Sequence, residues 1–287
     1  MERLKIAIQK SGRLSDDSLE LLRSCDLEFS TARGNAALKL DVRNFPVEIL
    51  FLRDDDIPRY VADGVVDAGI VGENVLLESE IPLELQERLG FGGCRLSLAV
   101  SRDSKYKTVQ DLQGLKIATS YPKILEKYLA TEGVQASIHE ISGSVEIAPG
   151  IGLAGAIFDI VSSGSTLALN GLRELAVAVR SQAVLVASKE IKPAQAKILD
   201  RLRFRIQSVE RARRHKYILL NAPNESLEKI VKLLPGLKSP TVLPLAEPGW
   251  SSVHTVIDED QFWEVIENLR EAGAEGILVC PIEKMIG

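Results

Sequence analysis

Short apolar strands that alternate with helical segments constrain the fold of this chain more than any other feature. Strand-length apolar runs recur at LKIAIQ (4–9), VEILFL (47–52), VDAGIVG (66–72), CRLSLAVS (94–101), LKIATS (115–120) and AGAIFDIV (154–161). Amphipathic segments such as SDDSLELLRSC (15–25) and YPKILEKYLATEG (121–133) separate several of these runs. Strands and helices in alternation predict an α/β layer structure.

The order of the segments predicts two α/β lobes followed by a smaller module. A second set of strands begins near Cys94, and LAVAVRSQAVLVAS (175–188) indicates a return of the chain to the first lobe. From 216 onward the order of segments is β-α-β-β-α-β, which is typical of a ferredoxin-like domain. The predicted division is therefore 1–93 with 184–213 for lobe I, 94–183 for lobe II and 214–287 for a separate domain. A chain that crosses more than once between two lobes is typical of a protein with a ligand-binding cleft.

Charge and hydropathy exclude several classes of partner. The net charge is −5, whereas general nucleic-acid binders usually carry a basic surface. No stretch approaches the roughly 18 apolar residues of a membrane span. The N-terminal MERLKIAIQKSGR has charges inside its apolar part, unlike a secretory signal peptide. We expect a cytoplasmic protein that binds neither nucleic acid nor membrane.

The segment FDIVSSGSTLALNGL (158–172) carries the strongest signal of a ligand site. Asp159 lies near the end of an apolar run, and small residues follow it in succession: Ser162, Ser163, Gly164, Ser165 and Thr166. Backbone amides of a tight loop, a glycine and hydroxyl groups are the donors that a phosphate needs, and a carboxylate can accept hydrogen bonds from sugar hydroxyls. A polar turn between two elements is the alternative, and the loop matches neither a Walker motif nor a dinucleotide fingerprint.

Polar residues also follow other predicted strands, where ligands bind in open α/β folds. They are Lys10, Ser11, Gly12 and Arg13 in QKSGR, Arg53 in RDDDIP, Asp67, Gly72 and Glu73 in DAGIVGEN, and Ser120 and Tyr121 in ATSYP. The cations of QKSGR suit an anion, although a solvated turn would have the same composition. One carboxylate of RDDDIP can cap the helix that starts at Ile57, and Ser15 is the expected cap of the first helix. No protein metal site is predicted.

Segments from nearly the whole chain resemble the long form of ATP phosphoribosyltransferase, the first enzyme of histidine biosynthesis. They are QKSGRLSDDSLELL, VRNFPVEILFLRDDDIP, DGVVDAGIVGENVL, FGGCRLSLAV, IATSYP, GSVEIAPGIGLAGAIFDIVSSGSTLALNGLREL and the tail SPTVLPL with GILVCPIEKM. The resemblance implies a two-lobed catalytic part like a periplasmic binding protein, followed by a ferredoxin-like regulatory domain. It also implies a reaction between ATP and phosphoribosyl pyrophosphate that requires Mg²⁺, joins adenine N1 to ribose C1 and releases pyrophosphate.

The resemblance also implies roles for the residues. The loop from Ser162 to Thr166 would bind the 5-phosphate and Asp159 the ribose hydroxyls. Lys10, Arg13 and Arg53 would act on the anionic nucleotide or the departing pyrophosphate, with Asp159 as the fourth catalytic candidate. The remaining cleft candidates, for ATP, are Ser11, Gly12, Asp67, Gly72, Glu73, Ser120, Tyr121 and Glu146.

For the C-terminal domain, the resemblance implies a site for histidine as a feedback inhibitor. The candidates by position are Asn221, Leu237, Ser239, Thr241 and Gly276. Some relatives have an acidic residue where this chain has Asn221, which implies a weaker contact with the amino group of histidine. The family also implies dimers that assemble into hexamers. Two alternatives without catalysis remain: a two-lobed small-molecule-binding protein, and a regulatory protein with inactive lobes.

Overall fold

The computed structural model describes residues 2–29, 38–234 and 239–287. Contacts divide the chain into two compact units. The first comprises residues up to 23 together with 27–200, and the second comprises 24–26 together with 201–287.

The elements agree with most of the segments expected from the sequence. The described strands are β1 (Leu4–Gln9), β2 (Lys39–Asp41), β3 (Val47–Leu52), β4 (Ala68–Gly72), β5 (Glu84–Arg88), β6 (Cys94–Ser101), β7 (Lys116–Thr119), β8 (Ser137–Glu140), β9 (Ala156–Val161), β10 (Leu172–Ser181), β11 (Ala183–Ala187), β12 (His215–Pro223), β13 (Thr241–Pro244), β14 (Trp250–Asp258) and β15 (Glu275–Pro281). The described α-helices are α1 (Arg13–Ser24), α2 (Ile57–Ala62), α3 (Glu73–Ser79), α4 (Pro122–Glu132), α5 (Ser165–Leu169), α6 (Pro193–Arg213), α7 (Leu227–Leu233) and α8 (Phe262–Glu271).

The first sheet has the strand order β2-β3-β1-β4-β11-β5. β3, β1 and β4 are parallel, whereas β2, β11 and β5 each pair antiparallel with a neighbour. Most residues of β1, β3 and β4 are buried, as expected for central strands of a sheet that is covered on both faces. Ala7, Val71 and Val184 belong to one buried cluster with Ile57 and Val61 of α2.

The second sheet has the order β10-β6-β9-β7-β8. β7 is parallel to β8 and β9, while β6 is antiparallel to β9 and β10. Leu98 and Phe158 are buried on one face of this sheet, and Ala99 and Ile157 are buried on the other. Both sheets lie in the first unit, and in each sheet the parallel strands bring several strand-to-helix loops to one edge.

The second unit has the predicted β-α-β-β-α-β order, from β12 to β15. Its antiparallel sheet has the order β13-β14-β12-β15, which is ferredoxin-like. Alternate residues of β12, Ile218 and Leu220, are buried against Ile230 of α7 and Leu269 of α8. The predicted fold class, a two-lobed α/β part with a ferredoxin-like C-terminal domain, is confirmed.

Two local predictions are wrong. The segment 175–188 does not return to the first lobe as one element: β10 pairs with β6 of the second sheet, and only β11 pairs with β4 of the first. α1 begins at Arg13, so Ser15 lies inside the helix as a buried residue and does not cap it. Two further elements, α3 and β5, are not predicted from the sequence; both are short and only partly buried.

No helix in the described ranges has the length and apolar character needed to cross a membrane.

Candidate active site

The loops after β1 and β3 meet at one edge of the first sheet. The two strands are parallel and in register to Gln9 and Leu52. The amide of Lys10 donates a hydrogen bond of 2.8 Å to the carbonyl of Leu52, which ties the two loops together. Lys10 and Arg13 are exposed at this edge, where they give it positive charge.

The loop before α1 turns sharply at Gly12. Its φ is +92°, a conformation that costs glycine little and other residues much more. The turn lets α1 start at Arg13, so that Arg13 stays beside the sheet edge together with Lys10 and Ser11. The sulfur of Cys94, at the start of β6, lies close enough to Arg13 for the cation to act on its pKa, although burial raises that pKa overall.

The acidic run after Arg53 forms a 3-10 turn, Asp54–Asp56, that continues into α2. Asp56 makes no capping hydrogen bond through its side chain, so the expected cap is wrong there. Burial raises the pKa of the Asp55 carboxyl, and the adjacent charges of Asp54 and Asp56 raise it further. A nearby cation would relieve this repulsion.

Asp67 lies at the opposite edge of the first sheet. It precedes β4, whose first residue Ala68 is in register with Ile6. Its carboxylate accepts a hydrogen bond of 2.7 Å from the amide of Lys5, and its own amide donates to the Lys5 carbonyl at 3.0 Å. The prediction that Asp67 lines the ATP cleft is therefore wrong, because the residue closes the amino-terminal end of the sheet.

Gly72 ends β4 and Glu73 begins α3, at the expected edge of the sheet. The carboxylate of Glu73, however, pairs with Arg88 of β5 at 2.7 Å. The amide of Glu73 donates to the carbonyl of Gln182 at 2.9 Å, between β10 and β11. Glu73 thus connects the end of β4 to the segment between β10 and β11. Its negative charge is already balanced by Arg88.

In the second sheet, Ser120 and Tyr121 follow β7, and Asp159 lies near the end of β9. The hydroxyl of Ser120 donates to the carbonyl of Ile141 at 2.7 Å. One carboxylate oxygen of Asp159 accepts from the amide of Ile160 at 2.8 Å. Burial raises the pKa of Asp159, that hydrogen bond partly offsets the effect, and the charge of Glu146 raises the pKa further. Asp159 and Glu146 are therefore close enough to interact.

The loop Ser162–Thr166 is open to solvent. Ser162, Ser163, Ser165 and Thr166 are exposed, and Gly164 has a φ of +82°. The Ser163 hydroxyl bonds that of Ser165 at 2.9 Å and accepts from the Ser165 amide at 3.4 Å. Within the described ranges, no other amide of this loop has a hydrogen-bond partner in the protein. Several donors thus converge in a small volume, as an anion requires.

Tyr121 joins the two groups of loops. Its hydroxyl accepts a hydrogen bond of 3.3 Å from the Asn74 amide group, and Asn74 is itself fixed by Ser181 at 2.9 Å. Burial raises the pKa of Tyr121 above its ordinary value, and the charges of Asp159 and Asp55 add to the effect. Carboxylates from both sheets therefore act on one phenol.

A cleft of about 570 Å³ lies beside Tyr121. Its lining includes Asp54, Asp55, Ser120 and Lys123, but neither Asp159 nor the loop after β9. Tyr121 lines the cleft and lies close enough to Asp159 for that charge to act on its pKa, so Tyr121 links the cleft to β9. Among the described residues, no cluster of three or more acidic, histidine or cysteine side chains could hold a metal ion.

Several residues of the site region gave no signal in the sequence. Asn74 and Ser181 bridge elements far apart in the chain. Glu78 accepts hydrogen bonds of 3.0 Å from the amides of Lys123 and Ile124, at the start of α4. Ser97 is buried opposite Asp159 in the register of β6 and β9, with no hydrogen-bond partner for its hydroxyl among the described residues. For Ser97, the alternation of polar and apolar residues in CRLSLAVS was the one signal that the sequence contained.

In the C-terminal sheet, Asn221 of β12 lies against Gly276 of β15. A side chain at Gly276 would come within 3.3 Å of the Asn221 amide nitrogen, and the φ of Gly276 is +58°. Thr241 is opposite His254 on β14, next to the Ser252 position that faces Asn221. Ser239 is described and precedes β13, whereas Leu237 lies outside the described residues.

Known sequences match both parts of the chain. Residues 53–208 match the family model described as "HisG: ATP phosphoribosyltransferase", and residues 212–284 match "HisG, C-terminal domain". The chain is 56% identical over 283 residues to the ATP phosphoribosyltransferase of Cytophaga hutchinsonii, covering 99% of this chain and 98% of that one. It is 54% identical to that of Bacteroides fragilis, covering 99% of both.

Solved structures resemble the two-lobed part. A chain of the "ATP phosphoribosyl transferase (HisG:HisZ) complex" from Thermotoga maritima has a TM-score of 0.59 and 27% identity, covering 71% of this chain and 98% of that one. The protein Tv2483 bound to L-arginine has a TM-score of 0.51 at 14% identity, covering 71% and 84%. The second likeness concerns the fold alone.

Proposed function

This chain belongs to the ATP phosphoribosyltransferase family, and we propose that its loop after β9 binds phosphoribosyl pyrophosphate while the loops after β1 and β3 face the anionic groups of the substrates. The family reaction is the first step of histidine biosynthesis. A bond forms between adenine N1 of ATP and ribose C1, the bond from C1 to the pyrophosphate oxygen breaks, and pyrophosphate leaves. The chain is therefore an enzyme, which removes the two non-catalytic alternatives.

The loop Ser162–Thr166 is the observation that carries the assignment of the phosphoribosyl site. Its exposed amides and hydroxyls converge around Gly164, and they suit the 5-phosphate. Asp159 precedes the loop on β9, so its carboxylate would accept hydrogen bonds from the ribose hydroxyls. A sugar anchored at both ends presents C1 in a fixed orientation, and such positioning can contribute about 7–11 kcal/mol to catalysis.

The charges near the proposed ribose site suit the transition state. Positive charge develops on the sugar as the bond to pyrophosphate breaks. The charge of Glu146 repels that of Asp159, so positive charge developing on a sugar beside Asp159 would relieve a cost that the fold already carries. Groups fixed in this way need no reorganisation during the reaction.

The leaving pyrophosphate needs the opposite charge. Lys10, Arg13 and Arg53 supply it from the edge of the first sheet. Mg²⁺, when bound, neutralises pyrophosphate oxygens and keeps several water ligands, so it needs few protein carboxylates. Asp55 lines the cleft and would face the cation, whose charge would relieve the repulsion from Asp54 and Asp56. Ser11, Gly12, Gly72, Ser120 and Tyr121 would line the ATP side of the cleft, with Glu73 as a support.

Pyrophosphate release from ATP and phosphoribosyl pyrophosphate tests the activity. We expect turnover that requires Mg²⁺ and both substrates and that histidine suppresses. A folded sample without turnover would contradict the catalytic assignment. Turnover that is indifferent to histidine would contradict only the regulatory proposal below.

Thr166→Ala tests the phosphate loop. The exposed Thr166 hydroxyl is one proposed donor, and one hydrogen bond to a charged group is worth about 1.5–3 kcal/mol. We expect the KM for phosphoribosyl pyrophosphate to rise about tenfold or more, with the KM for ATP almost unchanged. Steady-state kinetics with each substrate varied in turn measure both. Equal losses for the two substrates would contradict the assignment.

We further propose that 214–287 is a regulatory domain that binds histidine, in a cytoplasmic enzyme that forms dimers and hexamers. The match to the C-terminal family model over 212–284 supports this division, as does the contact between Asn221 and Gly276. Ser239 and Thr241 would complete the site. Coupling to catalysis requires that histidine bind two states of the assembly with different affinities.

Asn221→Asp tests the histidine site. A carboxylate at this position would pair with the amino group of histidine, whereas the amide of Asn221 offers only a neutral acceptor. We expect the histidine concentration for half-inhibition to fall about tenfold, the effect of ~1.4 kcal/mol. Inhibition curves of the variant and the parent at saturating substrates measure it. Thr255→Ser, on the helix-covered side of the same sheet, is the control and should leave the curve in place.

A further inference from the structure

The side chain of Arg95, on β6, contacts both β10 and the first residue of the proposed phosphate loop. Its Nη1 donates a hydrogen bond of 2.9 Å to the carbonyl of Ser162. Its Nε donates to a carboxylate oxygen of Glu174 on β10 at 2.7 Å. Arg95 itself is on β6, opposite Val161, the last residue of β9. One guanidinium therefore holds the first peptide group of the loop against the sheet.

The planarity of the peptide bond gives this contact a consequence for the loop. In a trans peptide group, the carbonyl oxygen and the following N–H point in opposite directions. The Ser162 carbonyl points to Arg95, so the N–H of Ser163 points away from β6. Among the described residues, that N–H has no partner within the protein, and Ser163 is exposed. The Arg95 contact thus fixes the direction of one amide of the loop.

We propose that Arg95 is a positioning residue that orients the Ser162–Ser163 peptide for the 5-phosphate of phosphoribosyl pyrophosphate. This inference rests on the proposed function of the loop and adds a residue outside it. Without Arg95, the peptide could rotate and aim its carbonyl oxygen at the phosphate, which would repel the ligand. No such role for Arg95 follows from the sequence, in which it lies 67 residues from Ser162.

Glu174 distinguishes positioning from direct phosphate binding. Its carboxylate balances the charge of Arg95 and accepts a hydrogen bond from Nε, while Nη1 donates to the Ser162 carbonyl. We therefore expect Arg95 to act on the phosphate by orienting the peptide and not by contacting the phosphate itself. The side chains are 27% and 29% exposed, and a partly exposed pair contributes little stability. We therefore expect changes here to affect substrate affinity more than Tm.

The test compares Arg95→Gln, Arg95→Lys and Glu174→Gln with Arg3→Gln as the matched control. Arg3 also pairs with a carboxylate, that of Asp41, but it precedes β1 at the amino-terminal edge of the first sheet. We expect Arg95→Gln to raise the KM for phosphoribosyl pyrophosphate about tenfold, as for a lost charged hydrogen bond, with kcat and the KM for ATP within about twofold. Arg95→Lys should recover part of the loss, because an ammonium can reach one acceptor but lacks the planar fork.

Glu174→Gln is expected to raise the same KM about threefold, because Arg95 loses the charged partner that fixes its fork. Tighter binding of phosphoribosyl pyrophosphate in this variant would show direct phosphate contact by Arg95 and overturn the positioning role. An unchanged KM in Arg95→Gln, or an equal rise for ATP, would also overturn it. If Arg95→Gln does not fold, the Lys and Glu174 variants decide.

Gly164→Val, measured in parallel, separates this inference from the assignment of the loop. If Gly164→Val weakens phosphoribosyl pyrophosphate and Arg95→Gln does not, only the role of Arg95 fails. If Gly164→Val also leaves that KM unchanged, the loop is not the phosphate site and both proposals fail.

Discussion

Gly164→Val is expected to lower kcat/KM for phosphoribosyl pyrophosphate about a hundredfold, the effect of ~2.7 kcal/mol of strain or lost binding. Gly164 has a φ of +82°, which a β-branched residue adopts only at high cost. A Cβ at this position would meet only a Val161 methyl at 4.0 Å, an ordinary contact. The expected damage therefore comes from the backbone, which would leave its left-handed conformation and turn the loop amides away from the phosphate.

Gly114→Val is the matched control for strain. Gly114 has a φ of +75° and open space around it, and it precedes β7 at the opposite edge of the second sheet. Gly114→Val should lower Tm about as much as Gly164→Val but leave the KM for phosphoribosyl pyrophosphate and the KM for ATP unchanged. Steady-state kinetics and thermal unfolding of the two variants give the comparison. An equal loss of ATP affinity in Gly164→Val would show a general disturbance rather than a damaged phosphate loop.

Much of the fold could be predicted because each element carries its own local signal. The run VEILFL coincides with β3, and CRLSLAVS coincides with β6. α4 ends where Gly133 takes a φ of +68°, as the sequence predicts from a glycine after an amphipathic segment. In these cases the burial pattern and the terminating residue lie within the same few positions.

The errors occur where the deciding partner is distant. The segment 175–188 is mostly apolar, and its pairing with β6 and then with β4 shows that it divides at Gln182. Asp67 is an acidic residue next to an apolar strand, as a site residue would be. Its hydrogen bond from the Lys5 amide, however, holds it at the edge of the sheet opposite the site. A single sequence holds no information on such pairings.

The candidate site shows the same contrast. Its loops could be found because small and polar residues follow apolar strands. The contacts that fix those loops could not, since Asn74 reaches Tyr121 across 47 residues of chain and Arg95 reaches Ser162 across 67. Sequence reasoning thus finds the groups that face a ligand more readily than the groups that hold them.

Asp159→Asn is expected to reduce kcat/KM for phosphoribosyl pyrophosphate at least about a hundredfold, a loss typical of removing one charge that acts on a transition state, and to raise Tm. The amide keeps the shape of Asp159 but loses the negative charge that faces the sugar. Burial is the main cause of the raised pKa of Asp159, which means that folding disfavours its ionised form. Wherever the pH is high enough for the carboxylate to be ionised in both states, the parent bears this cost and the variant does not.

Asp111→Asn, in the same unit, is the matched control for the direction of the expected change in Tm. Hydrogen bonds from the amides of Lys107 and Thr108, at 2.7 and 2.9 Å, lower the pKa of Asp111. Asp111→Asn should therefore lower Tm and leave the kinetics unchanged, the reverse of Asp159→Asn. A lower Tm for Asp159→Asn would contradict this argument, because it would mean that the ionised carboxylate stabilises the fold.

The pH dependence of the parent gives a further check on Asp159. Activity should fall with decreasing pH as Asp159 takes up a proton, and this fall should occur above the pH range of an ordinary carboxyl group. Glu146→Gln should move the fall to lower pH, because the charge of Glu146 raises the pKa of Asp159.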